Sequence, residues 1–142
     1  LRAVENAEDE ADTADAQITS MTVGPDDVVI GLAASGNTVF TTAAITSAKQ
    51  AGAVTIGIAN NPDTALLNTA EYPILLATGA EIIAGSTRLQ AGTAQKICLN
   101  LISNIIMVKM GFVVGGLMAE MVPTNAKLRR RRAEIDAKLS AF

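Results

Sequence analysis

Histidine is absent from all 142 residues. That excludes Ser-His-Asp triads, histidine general bases and every metal site that needs an imidazole. Tryptophan is missing too, and aromatics amount to 3%: Tyr72, Phe40, Phe112 and Phe142. One cysteine, Cys98, excludes an intrachain disulfide and a thiolate zinc cluster, and makes a reducing, cytoplasmic compartment the expectation. Clean hydrophobic runs are short. The most apolar stretch, Ile97 to Met118, is interrupted by Asn100, Ser103, Asn104 and Lys109, whereas a membrane helix needs about 20 apolar residues. It reads as a buried helix, and no membrane partner is expected.

What is there fits a layered α/β core. Hydrophobic residues make up 49% of the chain, mostly Ala, Val, Ile and Leu, with 11 Gly to allow close packing. The net charge of −3 conceals a polarity, with −7 up to Asp27 and +4 from Lys127 to Lys138. Arg129 to Arg132 span little more than one helical turn, have Glu134 and Asp136 close behind them and lack aromatic neighbours. No nucleic-acid partner is expected from such a run. Cys98 reads as an inert buried thiol, and Met107, Met110, Met118 and Met121 read as packing residues.

Residues 4–21 combine Ala with acids and predict an exposed, partly helical segment. After the turn residues Gly24-Pro25-Asp26-Asp27, the run Val28 to Leu32 suits a strand buried on both faces. A helix is predicted from Val39 to Gln50, closed by Ala51-Gly52, then a second strand from Val54 to Ala59. Asn60-Asn61-Pro62-Asp63 leads into a short helix over 64–69 and a third strand over 72–76. Strands alternating with helices at this spacing predict right-handed crossovers and a parallel sheet. The expected fold class is α/β, a three-layer parallel sheet with helices on both faces, followed by C-terminal helices. Three strands are few for such a sheet, so the fold reads as incomplete. The pattern from Gly85 to Val114 is helical, with Gly115-Gly116 bending or interrupting it. Pro123-Thr124-Asn125 breaks the chain before a last helix over 127–139. The predicted division is 1–112 for the layered domain and 113–142 for a C-terminal helical segment.

Two polar clusters fall at the carboxyl ends of these strands, where open α/β sheets bind ligands. In Ala33-Ala34-Ser35-Gly36-Asn37-Thr38, small residues let backbone N–H groups approach an anion, Ser35 and Thr38 add hydroxyls, and a helix N-terminus follows. The loop lacks the lysine of a Walker A motif and the spacing of a dinucleotide fingerprint. A phosphate on a small molecule is the natural ligand, against the plainer reading of a tight turn with a capping hydroxyl. The second cluster runs from Gly79 to Lys96. There Ser86 and Thr87 either cap the long helix or face a ligand, and Arg88 or Lys96 could meet an anion.

The stretch Glu81 to Lys96, above all Gly85-Ser86-Thr87-Arg88-Leu89-Gln90-Ala91-Gly92-Thr93-Ala94-Gln95-Lys96, closely resembles the bacterial N-acetylmuramic acid 6-phosphate etherase family. Ala33 to Gly36 upstream and Pro123 to Leu128 downstream share in the resemblance. That family belongs to the sugar-isomerase (SIS) superfamily, of flavodoxin-like fold, and is related to the glucokinase regulatory protein. The likeness covers essentially the whole chain but only the second half of a family member. It implies that the family's opening strand, first phosphate loop and one of two catalytic glutamates lie upstream of Leu1. The family's other catalytic glutamate lies in a motif that reads Glu5-Asn6-Ala7-Glu8-Asp9 here, matching Glu8. The implied activity is a carbon–oxygen lyase acting on a phosphosugar. Acid–base work by carboxyl groups suits a chain without histidine and calls for no metal and no cofactor.

The resemblance further implies that Ser35, Gly36, Asn37 and Thr38 hold the phosphate, that Glu81, Ser86 and Thr87 line the substrate, and that two copies pair as a homodimer. One departure is Asn37, where the family has an arginine; another is Asn6 in place of a glycine. The alternative function is a non-catalytic regulatory protein of the same superfamily that senses a phosphosugar. An aldose–ketose isomerase fits the Ser86 to Lys96 run poorly.

Overall fold

Three parallel strands, β1 (Val28–Leu32), β2 (Val54–Ala59) and β3 (Tyr72–Leu75), pair in the order β1-β2-β3. Their register sets Gly31 beside Gly57 and Gly57 beside Pro73. Pro73 is tolerated because β3 is an edge strand, where a missing N–H costs the ladder little. The computed structural model describes residues 7–140, which fall into two compact units meeting between Lys96 and Ile97. That boundary lies sixteen residues before the predicted division at 112, inside α4 (Gln90–Lys109).

The helices of the first unit begin where the sequence places them. α2 covers Val39–Gln50, and Gly52 takes a φ of +89° just beyond its end. α3 is the short helix Ala65–Thr69. Both pack on one face of the sheet through Ile45 and Leu66, each 0% exposed, joined by Ala33 and Ala70. Gly31 makes that approach possible, because a Cβ there would lie 2.7 Å from Ile45 Cγ1 and 3.0 Å from Leu66 Cδ1. Backbone and helix meet where a side chain would have held them apart.

Two expectations for this unit are corrected. The acidic segment is not simply exposed: α1 (Ala11–Ser20) buries Ala14 and Ile18, and Ile18 packs with Ala48 and Ala53 beside α2. Alanine-rich helices need only a narrow apolar stripe to dock, and here Ser47 Oγ adds a 2.5 Å hydrogen bond to Asp15. Nor is β1 buried on both faces, since Val28 and Ile30 are exposed. On that side Ile58 is fully buried while Val54 is open.

The long helix is shorter than the pattern predicts. It starts at Gln90 and ends at Lys109, and its residues from Ile97 onward are not buried: Ile97, Leu101, Ile105 and Val108 are all exposed. Cys98 is half-buried rather than enclosed, and of Met107, Met110, Met118 and Met121 only Met121 is buried. Apolar periodicity reports a face that can be covered, not whether these residues cover it. After the helix, Gly111 takes a φ of +80°, and β4 (Val113–Val114) and β5 (Leu117–Met118) form an antiparallel hairpin. Gly115 and Gly116, both at positive φ, are its two-residue turn, the conformation that suits a right-twisted hairpin. The glycine pair therefore ends the helical reading outright.

α5 (Ala126–Leu139) closes the second unit, capped by Asn125 Oδ1, which accepts from Leu128 N at 2.9 Å. Within that unit Arg132 donates to the carbonyls of Ala119 and Met121 and to Asp136. The Asp136 hydrogen bond pushes the guanidinium pKa further up, against the opposing effect of desolvation. One arginine of the basic run is thus an internal tie. Among the described residues no helix is long and apolar enough to cross a membrane.

Candidate functional site

The turn from β1 into α2 carries the first polar cluster, and its geometry divides the candidate residues. Ser35 is exposed, and its Oγ accepts from Asn37 N at 3.2 Å. Thr38 stands at the N-cap of α2 but makes no side-chain capping bond. Its hydroxyl is not spent on capping the helix and stands at the first turn, whose N–H groups have no partner within the helix.

Gly36 and Asn37 turn the other way and hold the loop in place. Gly36 has a φ of +72°, and Thr64 occupies the space a side chain would need, with its Cβ 2.6 Å from the position of an added Cβ. The Gly36 carbonyl accepts from Leu66 N at 2.9 Å. Asn37 Oδ1 accepts from Ala65 N at 3.1 Å, capping α3. Asn37 thus ties the β1–α2 turn to the start of α3.

The second cluster is organised by Glu81. Its two carboxylate oxygens accept from Gln90 N at 3.1 Å and Ala91 N at 3.0 Å, so this carboxylate, rather than Ser86 or Thr87, caps α4. A negative charge at a helix start is stabilised by the dipole and by the free N–H groups. The N-terminus of α4 is thus capped by a carboxylate, whereas that of α2 carries no side-chain cap. Replacing Glu81 by Ala is expected to cost about 1–2 kcal/mol, read as a lower denaturant midpoint, with the 79–89 segment becoming more susceptible to proteolysis.

A cleft of about 720 Å³ collects the rest. It is lined by Glu8 and Glu10 from the start of the described chain, Ser35 and Thr38 from the β1–α2 turn, Thr87 from the second cluster and Gln95 from α4. That volume is in the usual range for small-molecule sites. A smaller cavity of about 270 Å³ takes Glu81, Ser86, Asn60 and Asn61, and Thr87 lines both. Arg88 and Lys96 line neither. Glu5 and Asn6 of the acidic motif lie outside the described residues. Thus Glu8, Ser35, Thr38 and Thr87 come together, Ser86 and Glu81 stand in the adjoining cavity, and Gly36 and Asn37 support the loop from behind.

Sequence reasoning missed Glu10, Thr41 and Gln95, which also line the cleft. Glu10 accepts from Thr13 Oγ1 at 2.7 Å. Gln95 lies inside the twelve-residue run already singled out, so its place there was the one available signal. Asn60 was read only as a turn residue, yet it is 7% exposed and fully engaged. Its side-chain amide donates to Leu76 O at 3.1 Å and to Thr78 Oγ1 at 3.3 Å.

A parallel sheet with a hydroxyl-bearing turn at the carboxyl end of its first strand, and a cleft beside that turn, is the arrangement of an open α/β domain with its ligand edge at the strand ends. Residues 6–105 match the SIS domain model, and the chain belongs to that family. Its sequence is 50% identical over 130 residues to N-acetylmuramic acid 6-phosphate etherase of Deinococcus radiodurans, covering 92% of this chain and 43% of that protein. The enzyme of the same name from Rubrobacter xylanophilus is 44% identical over 131 residues, covering 92% and 44%. That from Pasteurella multocida is 44% identical over 135 residues, covering 95% and 45%. The chain spans less than half the length of these relatives.

Proposed function

We propose that this chain binds N-acetylmuramic acid 6-phosphate and contributes one of the carboxyl groups that cleave its lactyl ether, yielding N-acetylglucosamine 6-phosphate and D-lactate. The observation that supports this most is the single cleft joining Glu8 to Ser35 and Thr38 at the head of α2. Ser35, Thr38 and the first-turn N–H groups of α2 hold the phosphate, while Gly36 and Asn37 keep their loop tight. Thr87 and Ser86 meet the sugar, and Glu81 fixes the segment that carries them. No cationic side chain lines the cleft among the described residues, so the phosphate is held by neutral donors and the helix end.

The chemistry needs a base and an acid. In the open-chain sugar, the aldehyde acidifies the proton at carbon 2, and a carboxylate removes it. The carbon 3–oxygen bond then breaks, and the lactate oxygen takes a proton from a carboxylic acid. Water adds back at carbon 3, and carbon 2 is reprotonated. Glu8 serves as one acid–base group in this sequence. The same reading includes pairing with a second copy of the chain, for which the exposed stripe Ile97, Leu101, Ile105 and Val108 is suited, and a cytoplasmic location.

The test is turnover in heavy water by the full-length protein carrying these residues. Lactate release is expected together with one deuterium at carbon 2 of the N-acetylglucosamine 6-phosphate. Lactate without deuterium would overturn the elimination route. Tight binding of the phosphosugar without lactate would favour a regulatory protein instead.

A further inference from the structure

Asn60 and Gln95 lie far apart in sequence but form one amide chain that ends at the cleft. Asn60 is nearly enclosed, at 7% exposure. Its NH₂ donates to Leu76 O at 3.1 Å and Thr78 Oγ1 at 3.3 Å. A backbone carbonyl can only accept, so the Asn60 amide has one possible orientation and its Oδ1 must point the other way. That Oδ1 accepts from Gln95 Nε2 at 2.9 Å. The nitrogen of Gln95 is therefore used, and its Oε1 receives no hydrogen bond from the described residues. Gln95 itself lines the cleft with Glu8, Ser35 and Thr87.

Polarity follows from this chain of bonds. A free glutamine can rotate its amide to offer a donor or an acceptor, whichever a ligand needs. Here the buried asparagine removes that choice, because turning the amide over would set Gln95 Oε1 against Asn60 Oδ1. Two acceptors facing each other in a low-dielectric pocket leave both unpaired, a costly arrangement. Gln95, at the cleft wall, is thus left with an acceptor, while Ser35 and Thr38 carry hydroxyls on the β1–α2 side.

We propose that Gln95, oriented by Asn60, is a specificity-determining residue whose Oε1 accepts a hydrogen bond from an O–H or N–H donor on the sugar of the bound phosphosugar. Asn60 is the positioning residue. This rests on the phosphosugar reading of the cleft and adds to it. A phosphate oxygen gains nothing from Gln95, since both atoms are acceptors. A ring hydroxyl or the acetamido N–H gains a partner. The amide pair thereby sets which end of the ligand lies over α4 and which lies at the head of α2.

Calorimetric titration of the full-length protein tests this with N-acetylglucosamine 6-phosphate, analogues in which one ring hydroxyl at a time is replaced by hydrogen, 2-deoxyglucose 6-phosphate and inorganic phosphate. In the unsubstituted protein, loss of one particular donor is expected to weaken binding about fivefold to tenfold. In Gln95→Met the same deletion should change affinity less than twofold, with inorganic phosphate bound equally by both proteins. The acetamido N–H is the donor if 2-deoxyglucose 6-phosphate is the analogue whose deficit disappears, and a ring hydroxyl is the donor if one of the others is. Gln95→Lys keeps a donor for Asn60 Oδ1 but offers the cleft no acceptor, so it should mask the same deletion even if the Met variant folds poorly. Donor losses that cost Gln95→Lys as much as the unsubstituted protein would overturn the proposal. An unsubstituted protein that binds neither inorganic phosphate nor N-acetylglucosamine 6-phosphate would show instead that the phosphosugar reading had failed, and the inference with it.

Discussion

Replacing Glu8 by Gln should lower lactate release by roughly 10²–10⁴-fold, the usual worth of a positioned acid–base group. Affinity for N-acetylglucosamine 6-phosphate should stay within about twofold. The amide keeps the shape and polarity of the carboxyl group but can neither take the carbon 2 proton nor give one to the lactate oxygen. Glu8 is exposed and sits in the short 3₁₀ turn Ala7–Asp9, so the substitution removes no buried contact and leaves stability nearly unchanged. The measurement is a paired one, with turnover by lactate release and binding by calorimetry on the same preparation. Unchanged turnover in the Gln variant would remove Glu8 from the mechanism. A protein that binds the phosphosugar but never turns it over would be a sensor, and this substitution would leave its binding untouched.

Gly36→Ala is expected to have the largest effect on the fold of the site. Gly36 has a φ of +72°, and an added Cβ would meet Thr64 Cβ at 2.6 Å and Thr64 Cγ2 at 2.7 Å. Left-handed backbone costs a residue with a Cβ about 1–2 kcal/mol, and overpacking adds about 1–3 kcal/mol, so a loss of roughly 2–5 kcal/mol is expected. Thr64 cannot move aside easily, because it is 3% exposed and begins α3, whose Leu66 N donates to Gly36 O. Phosphate affinity should fall with stability, since the displaced loop carries Ser35 and Thr38. A second change, Thr64→Ala, removes Cγ2 and an unpartnered buried hydroxyl but leaves the Cβ, and should restore part of the stability. What it restores is the part due to Cγ2 and the hydroxyl, and what remains is the Cβ contact and the backbone strain. Equal midpoints of Gly36→Ala and the unsubstituted chain in urea would show that the loop tolerates a side chain there.

Much of this molecule is written locally. The β-branched runs Val28 to Leu32 and Val54 to Ala59 became β1 and β2 with the predicted ends, and α2 spans Val39–Gln50 as the spacing required. Gly52 and Asn125 ended and began helices because positive φ and a capping side chain are properties of single residues. Ser35 and Thr38 were legible for the same reason, since a strand passing through small residues into a helix creates a donor-rich turn wherever it occurs.

Other features depended on residues that meet only in three dimensions. The apolar period from Gly85 to Val114 is equally compatible with a helix that stops at Lys109, and only the positive φ at Gly111, Gly115 and Gly116 decided for a hairpin. Exposure of the Ile97, Leu101 and Ile105 stripe could not be read from its composition, because burial belongs to what lies opposite. That Glu81, implied to line the substrate, also caps α4 could not be read, its partners Gln90 and Ala91 being brought back by the 79–89 segment. The sequence by itself determined the α/β alternation, the donor-rich turn after β1 and the want of imidazole chemistry, for these rest on residue identity and nearest neighbours. Tertiary structure alone decided that Glu8 faces that turn across one cleft and that Asn60 holds Gln95 at its wall. Those pairings need chain segments tens of residues apart to be packed against the same sheet edge, and no local preference encodes them.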